Sequence, residues 1–431
     1  MKLIIIVILI CMLALFLLKV PVYISMALTG CALMMATTGM KWSILSQYLY
    51  TGTNSFTLLA IPLFLLAAKL MNTGGITRKL FAFCMKVVGW LPGGLGHVNI
   101  LSSVIFAGMS GTAVSDAGGL GAIEIRAMNE NGFDNDFSCC VTAASSTLGP
   151  IIPPSIPLVV YATVSGASVG ALFMAGIIPG IVMAFIMMVV VTIYAVKRHY
   201  PRTKFPTAGE FFHALKEGFL PLMAPFILLV GIYGGVFTPT ESAAIVVLYS
   251  LVLDVFIYRE LTMKKFIAIL KETVRDSLTI ALIIAGATFF GYVATRAKIP
   301  QMILASMTSI VSNKFTLLII INVFLLIIGC FLETASAITI VVPLILPLLA
   351  AYDINLTQFG IVMVLNLMIG LLTPPFGLVL FVISKIGNIS IGRFSKALVP
   401  WLGALLAALL LVTFIPRLSL WFPTLLGMSV R

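Results

Sequence analysis

Charge is what this chain of 431 residues has least of: Asp, Glu, Lys and Arg make up 9% of it, where soluble domains carry roughly 25%. With 61% of residues hydrophobic, the apolar surface is too large for one aqueous core. Histidine occurs three times, and the six cysteines, Cys11, Cys31, Cys84, Cys139, Cys140 and Cys330, show no CxxC spacing. That excludes a disulfide frame and gives no metal site. No GxxxxGK[ST] phosphate loop, HExxH helix or GxSxG elbow is present, so neither ATP hydrolysis nor any other enzymatic activity is expected.

What the chain has instead is a succession of apolar runs long enough to make lipid its main solvent. Crossing helices are expected at about 3–19, 21–40, 54–71, 137–165, 171–196, 218–236, 239–258, 276–295, 359–384 and 400–420. The first run has a single preceding Lys2 and no small-residue cleavage site, which favours a retained helix over a signal peptide. The net charge of +12 collects in short loops between these runs, so it reads as membrane orientation and not as a nucleic-acid surface.

Two apolar pairs, 94–130 and 315–350, do not fit simple spans. Each breaks at its middle on small or polar residues, GMSGTAVSDAGG at 108–119 and GCFLETAS at 329–336, and each is expected to be a re-entrant hairpin. Non-helical backbone at membrane depth survives only when buried in protein or facing a wet cavity. An ion site or cavity is therefore expected at each break.

Four basic loops orient the chain: Arg78, Lys79 and Lys86; Lys197, Arg198, Arg202 and Lys204; Arg259, Lys264, Lys265, Lys271 and Arg275; Lys385, Arg393 and Lys396. With two hairpins returning to their own side, all four fall on the cytoplasmic face and both termini on the periplasmic face. Arg296, Lys298 and Lys314 land outside under this scheme, against the trend.

One motif is used twice. GPIIPPSIPLVVY begins at Gly149 and GLLTPPFGLVLFV at Gly370, with the glycine and both prolines 221 positions apart. Upstream, Gly108 and Thr112-Ala113 recur as Gly329 and Thr334-Ala335, with one residue inserted. The chain thus reads as a single all-α membrane domain of two halves. Residues 1–216 hold hairpin 94–130 and broken helix 137–165, and residues 217–431 hold hairpin 315–350 and broken helix 359–384. An odd number of crossings separates the hairpins, so the halves are inverted, as in secondary transporters whose site lies at the midplane between discontinuous helices.

Pro153-Pro154 and Pro374-Pro375 remove amide donors and should free carbonyls near Gly149 and Gly370. Ser110, Thr112, Ser115, Ser145, Ser146 and Thr147 surround the first break, and Thr334, Ser336 and Thr373 the second. Such oxygens suit sodium, and two sodium sites are expected, although each hydroxyl alone more often satisfies its own helix backbone. Asp116 and Glu333 are acids inside the hairpins and candidates for coupling. Their structural alternatives are a helix start for Asp116 and a cap on hairpin amides for Glu333. Glu124 is expected near the cytoplasmic surface, paired with Arg126 or a neighbour. Asn99 and Asn322 are expected to bond the opposite hairpin arm, His97 to be interfacial, and Trp42, Trp90, Trp401 and Trp421 to be belt residues. Thr238-Pro239-Thr240-Glu241 spells a capping box.

The segments GGLGHVNILSSVIFAGMSGTAVSDAGGLG, LGPIIPPSIPLVVY, FTPTESAA and GLLTPPFGLVLFVIS resemble those of the large membrane subunit of TRAP (tripartite ATP-independent periplasmic) transporters, over essentially the whole chain. The resemblance implies an elevator-type ion-transporter fold in the bacterial inner membrane, with helices near 21–71 and 239–295 as scaffold. It also implies uptake of an organic acid, a carboxylate, driven by sodium. Delivery would be by a periplasmic solute-binding protein, and a separate small membrane subunit would complete the complex. The family's sodium-binding regions carry over to Ser110, Gly111 and Thr112 with Gly149 and Pro150, and to Glu333, Thr334 and Ala335 with Gly370 and Thr373. Substrate and coupling would then involve Ser115, Asp116, Ser146, Thr147, Pro153, Pro154, Ser336, Pro374 and Pro375. Many members carry aspartate where this chain has Glu333. No cofactor beyond sodium is implied. Two rivals remain at this stage: a sodium-coupled dicarboxylate or citrate carrier of similar hairpin architecture that works alone, and, from another class, an intramembrane enzyme or the membrane subunit of a sodium-pumping decarboxylase.

Overall fold

The computed structural model describes residues 2–18, 20–37, 41–72, 74–308, 311 and 313–430. Among these, every regular element is helical. The first third comprises α1 (Lys2–Leu17), α2 (Val22–Thr37), α3 (Ser43–Thr53), α4 (Ala60–Met71), α5 (Gly74–Val88), α6 (Gly94–Ser110), α7 (Ala113–Gly118) and α8 (Leu120–Glu130). Then come α9 (Asn135–Ser146), α10 (Ile156–Ser165), α11 (Val169–Arg198), α12 (Ala208–Tyr233), α13 (Pro239–Val252) and α14 (Met263–Arg296). The chain finishes with α15 (Ile299–Thr308), α16 (Lys314–Phe331), α17 (Thr334–Ala351), α18 (Leu356–Leu371), α19 (Leu378–Ile386), α20 (Ile391–Phe414) and α21 (Arg417–Leu425).

Seven of these are long and apolar enough to cross a membrane, or eight if α3 and α4, bent by 53°, form one span. The sequence places a span only at 54–71. It misses α3 and α15, which are short, and α5, whose apolar positions alternate with Arg78, Lys79 and Lys86 on an amphipathic helix. The ends of the spans expected at 3–19 and 21–40 fall on residues 19 and 38–40, outside those described. The capping box is formed: Glu241 N–H donates to Thr238 Oγ1 at 3.3 Å, and Thr238 N–H donates to the Glu241 carboxylate at 2.7 Å, with Pro239 as the first helical residue.

Ion pairs gather all four basic loops at one end of the molecule. Arg78 meets Glu260 at 2.9 Å, Lys86 meets Glu210 at 3.5 Å, Arg198 meets Asp134 at 2.6 Å and Arg393 meets Asp136 at 2.8 Å. At 34 residues, α14 is about 51 Å long, well beyond the roughly 30 Å of hydrocarbon, and carries Arg296 to the far end.

Apolar packing falls into two clusters. A small one joins α1, α2, α14, α15 and α17 through Met12, Leu33, Phe290, Ile299 and Ile340. The large one holds α4 to α13 and α16 to α20. Trp401 belongs to it, 1% exposed and ringed by Tyr194 and Phe137, so it is a core residue where the sequence suggests a belt residue. His97 is likewise buried, with Nε2 3.3 Å from Thr192 Oγ1.

Candidate functional site: two hairpin tips against two broken helices

The two segments that do not fit simple spans each form a pair of arms. In the first, α6 ends at Ser110, the chain turns through Gly111, and α7 and α8 run back. In the second, α16 and α17 meet at Leu332-Glu333, and Lys314 Nζ donates to the Asp353 carbonyl at 2.7 Å, bringing the start of one arm beside the end of the other.

At the first tip, Gly111 is left-handed with φ +63°, a region that L side chains rarely occupy. A Cβ there would stand 2.8 Å from the Pro154 carbonyl oxygen. The tip is therefore pressed on the break between α9 and α10, and Ile156 N–H donates to the Gly111 carbonyl at 3.3 Å. Thr112 is extended and caps α7, its Oγ1 accepting from Ser115 N–H at 3.3 Å. Asp116 follows in the first turn of α7, 2% exposed; its Oδ1 accepts from Ser110 Oγ and its Oδ2 has no partner. A Cβ on Gly149 would lie 2.6 Å from that Oδ2, so the unpaired oxygen is set against the backbone of the break.

Around this break Ser146 and Thr147 hydroxyls donate to the Ala143 and Ala144 carbonyls of their own helix, and Ser155 Oγ donates to the Pro150 carbonyl. The Pro153–Pro154 bond is cis.

At the second tip, Glu333 caps α17: its Oε2 accepts from Ser336 N–H at 3.2 Å. Thr334, Ala335 and Ser336 are buried behind it. The Gly370 backbone touches that of Gly329, since a Cβ on Gly370 would lie 2.4 Å from the Gly329 carbonyl carbon. Pro374–Pro375 is again cis. The Gly370 carbonyl is not freed as expected, for it accepts from Thr373 N–H at 2.9 Å, and the Thr373 hydroxyl donates to the Ile369 carbonyl. A cavity of about 380 Å³ opens between tip and break, lined by Glu333, Phe331, Leu371 and Phe376 among others.

The structure also corrects the alignment of the two tips. Thr112 and Glu333 are both N-caps, and Ser115 and Ser336 are both the third helical residue receiving the cap. All four obey the same 221-position offset as the glycines and prolines, so no residue is inserted.

Several polar residues depart from expectation. Asn99 and Asn322 bond the broken helices, not the opposite hairpin arms. Asn99 accepts from Ser145 Oγ and donates to Thr142 Oγ1, both at 2.7 Å, and Asn322 accepts from Asn366 Nδ2 at 2.7 Å. Asn366 was missed, although it stands 221 positions after Ser145. Glu124 is buried against Ser102 and has no pairing with Arg126.

The donors at both tips are carboxylate, hydroxyl and carbonyl oxygens, which suit a hard monovalent or divalent cation. Among the described residues no group of three His, Cys, Asp or Glu side chains could hold a transition metal. At the first tip, Asp116 Oδ2 is a buried oxygen left without a partner.

Comparison with known proteins gives the family. Residues 9–418 match the family described as "Tripartite ATP-independent periplasmic transporter, DctM component". The chain is 42% identical to the sialic acid TRAP transporter large permease protein SiaM of Vibrio cholerae, over 94% of this chain and 95% of that one. It is 37% identical to the C4-dicarboxylate TRAP transporter large permease protein DctM of Pseudomonas aeruginosa, also over 94% and 95%. The crystal structure of the Alcanivorax borkumensis YdaH transporter, described as having an unusual topology, shares the fold, with a TM-score of 0.59 over 86% of each chain at 14% identity. This multi-pass chain therefore belongs to the DctM family of large permease components of tripartite ATP-independent periplasmic transporters.

Proposed function

We propose that the chain imports an organic acid by sodium symport, receiving it from a periplasmic binding protein and working with a separate small membrane subunit. The observation that carries the ion half of this reading is the buried, unpartnered Asp116 Oδ2 facing the Gly149 backbone at a break in a helix. A buried anionic oxygen without a partner costs several kcal/mol unless a cation or proton meets it. Membership of the family supports the two partners, and the acids named for its relatives, sialic acid and C4-dicarboxylates, support a carboxylate cargo.

In this reading sodium is held at the first tip by Ser110, Gly111, Thr112, Gly149 and Pro150, with the Asp116 carboxylate facing it as counter-charge. At the second it is held by Glu333, Thr334, Ala335, Gly370 and Thr373. Bound sodium orders both tips, and the anionic substrate then sits between the N-terminal ends of the half-helices α10 and α19, whose dipoles favour negative charge. Ser115, Asp116, Ser146, Thr147 and Ser336, with the two Pro-Pro breaks, couple the sites. The halves are inverted and both hairpins are re-entrant. Hairpins and broken helices move as an elevator against a scaffold around α2, α4, α13 and α14. The face that gathers the basic loops is cytoplasmic, in a bacterial inner membrane, with both termini outside.

Uptake into proteoliposomes holding this chain, its small subunit and the binding protein tests the reading, with an imposed sodium gradient as sole energy source. Accumulation that needs both sodium and the binding protein is expected. Accumulation without the binding protein would mean a solitary carrier, and accumulation indifferent to sodium would remove the coupling.

A further inference from the structure

Glu124 belongs to neither ion cradle. It lies on α8, 1% exposed, with Oε1 2.5 Å from Ser102 Oγ on α6. Ser102 Oγ also lies 2.6 Å from the Val98 carbonyl oxygen and 3.1 Å from that of Asn99. A serine hydroxyl has one proton, and carbonyls only accept. An ionised Glu124 would therefore crowd three acceptors round that proton and leave a bare oxygen pair at 2.6 Å or less. One added proton resolves the arrangement: the Glu124 O–H donates to Ser102 Oγ, and Ser102 O–H donates to the Val98 carbonyl.

Among the described residues no cationic side chain acts on Glu124. The titratable groups that act on it or feel it are Asp116 on α7 and Cys84 on α5, neither of which is ever cationic. From α9, Thr142 is set against Gly121, and Asp136 on that helix is taken by Arg393. Arg126 is on the exposed face of α8. Nor does a hairpin of this shape require the pair, because the positions 221 residues after Ser102 and Glu124 are Val323 and Ile345.

We propose that Glu124 is a protonated carboxylic acid that latches the two arms of the first hairpin, a proton-binding site distinct from the sodium cradles. It is a positioning residue: it acts on the tip by holding α6 to α8, and loss of its proton sets a bare carboxylate against an oxygen-rich turn and loosens the arms. The proposal does not depend on what the chain transports.

Infrared spectroscopy of the purified full chain at neutral pH reads the proton directly. Wild type minus Glu124→Gln should show a carboxylic acid C=O band, and a carboxylate band in its place would overturn the proposal. Glu124→Gln keeps an N–H donor for Ser102, so its melting temperature should stay within roughly 2 °C of wild type, while Glu124→Ala and Ser102→Ala each fall further. Raising the pH should lower the melting temperature of wild type and not that of Glu124→Gln; identical profiles would count against the latch. Should Glu124→Gln fail to fold, Ser102→Ala supplies the second reading, since loss of the acceptor must shift the acid band, and an unmoved band overturns the assignment.

Discussion

Thr112 and Glu333 perform the same task 221 positions apart: one offers a hydroxyl and the other a carboxylate to the amide of the serine three residues on, at 3.3 and 3.2 Å. The tips are thus equivalent in backbone and differ in where the acid sits. Each holds one carboxyl, but the first keeps it a turn further along, at Asp116.

That difference separates capping from ion binding at the second tip. Glu333→Gln retains an oxygen acceptor for Ser336 N–H, so it should fold with a melting temperature near wild type while its sodium midpoint rises. Thr112→Ala should lower stability by about 1 kcal/mol, as loss of an N-cap does. A sodium midpoint in Glu333→Gln equal to wild type would leave Glu333 as a cap and nothing more.

The glycine contact between hairpin and broken helix leaves no room for a side chain. Gly370→Ala places a Cβ 2.4 to 2.8 Å from Gly329 backbone atoms and should cost about 3 kcal/mol, since rigid backbone must move. Gly403→Ala in α20 meets nothing within 4 Å and should be neutral or slightly stabilising. Equal expression and melting of the two variants would refute the close approach.

The architecture was readable in the sequence because its breaks are written in residues with no substitute. Glycine at 149 and 370, and paired prolines at 153 and 374, fix the repeat by identity. The caps were not readable by identity, since threonine and glutamate do the same work, and matching Thr112 to Thr334 shifted the second tip by one residue. The partner of Glu124 was not readable because an acid two positions from a surface arginine looks solvated, whereas at helical spacing it faces Ser102 on the neighbouring arm. Short and amphipathic helices such as α3 and α5 were lost among loops, since a hydropathy reading detects only what is apolar all round.

The asparagine contact between the second hairpin and its broken helix should be measurable. Asn366→Leu leaves Asn322 Oδ1 without its 2.7 Å partner, while Asn322 still donates to Thr413. A loss of about 1 kcal/mol is expected in thermal or denaturant unfolding, the usual scale for a polar bond between membrane helices. No loss would mean that the bond forms equally well in the unfolded reference state.

At the basic end, the Tyr200 hydroxyl, 2.6 Å away, and then Arg198 hold the Asp134 carboxyl below its ordinary range. Folding therefore favours the charged form. Its contribution is complete above about pH 4 and disappears as pH falls further. Because Asp134 is largely exposed, Tyr200→Phe should cost under about 1 kcal/mol at neutral pH, and the gap from wild type should narrow in acid. A gap that widens in acid would reverse the assignment.

The claim on which the transport reading turns is that the paired tips bind sodium, and thermal unfolding of the purified chain in sodium against potassium chloride at matched ionic strength tests it most directly. A ligand that binds only the folded state raises the melting temperature with concentration. A rise with sodium that potassium does not reproduce, reduced in Glu333→Gln and in Asp116→Asn, is the predicted result. An identical response to the two salts would contradict it.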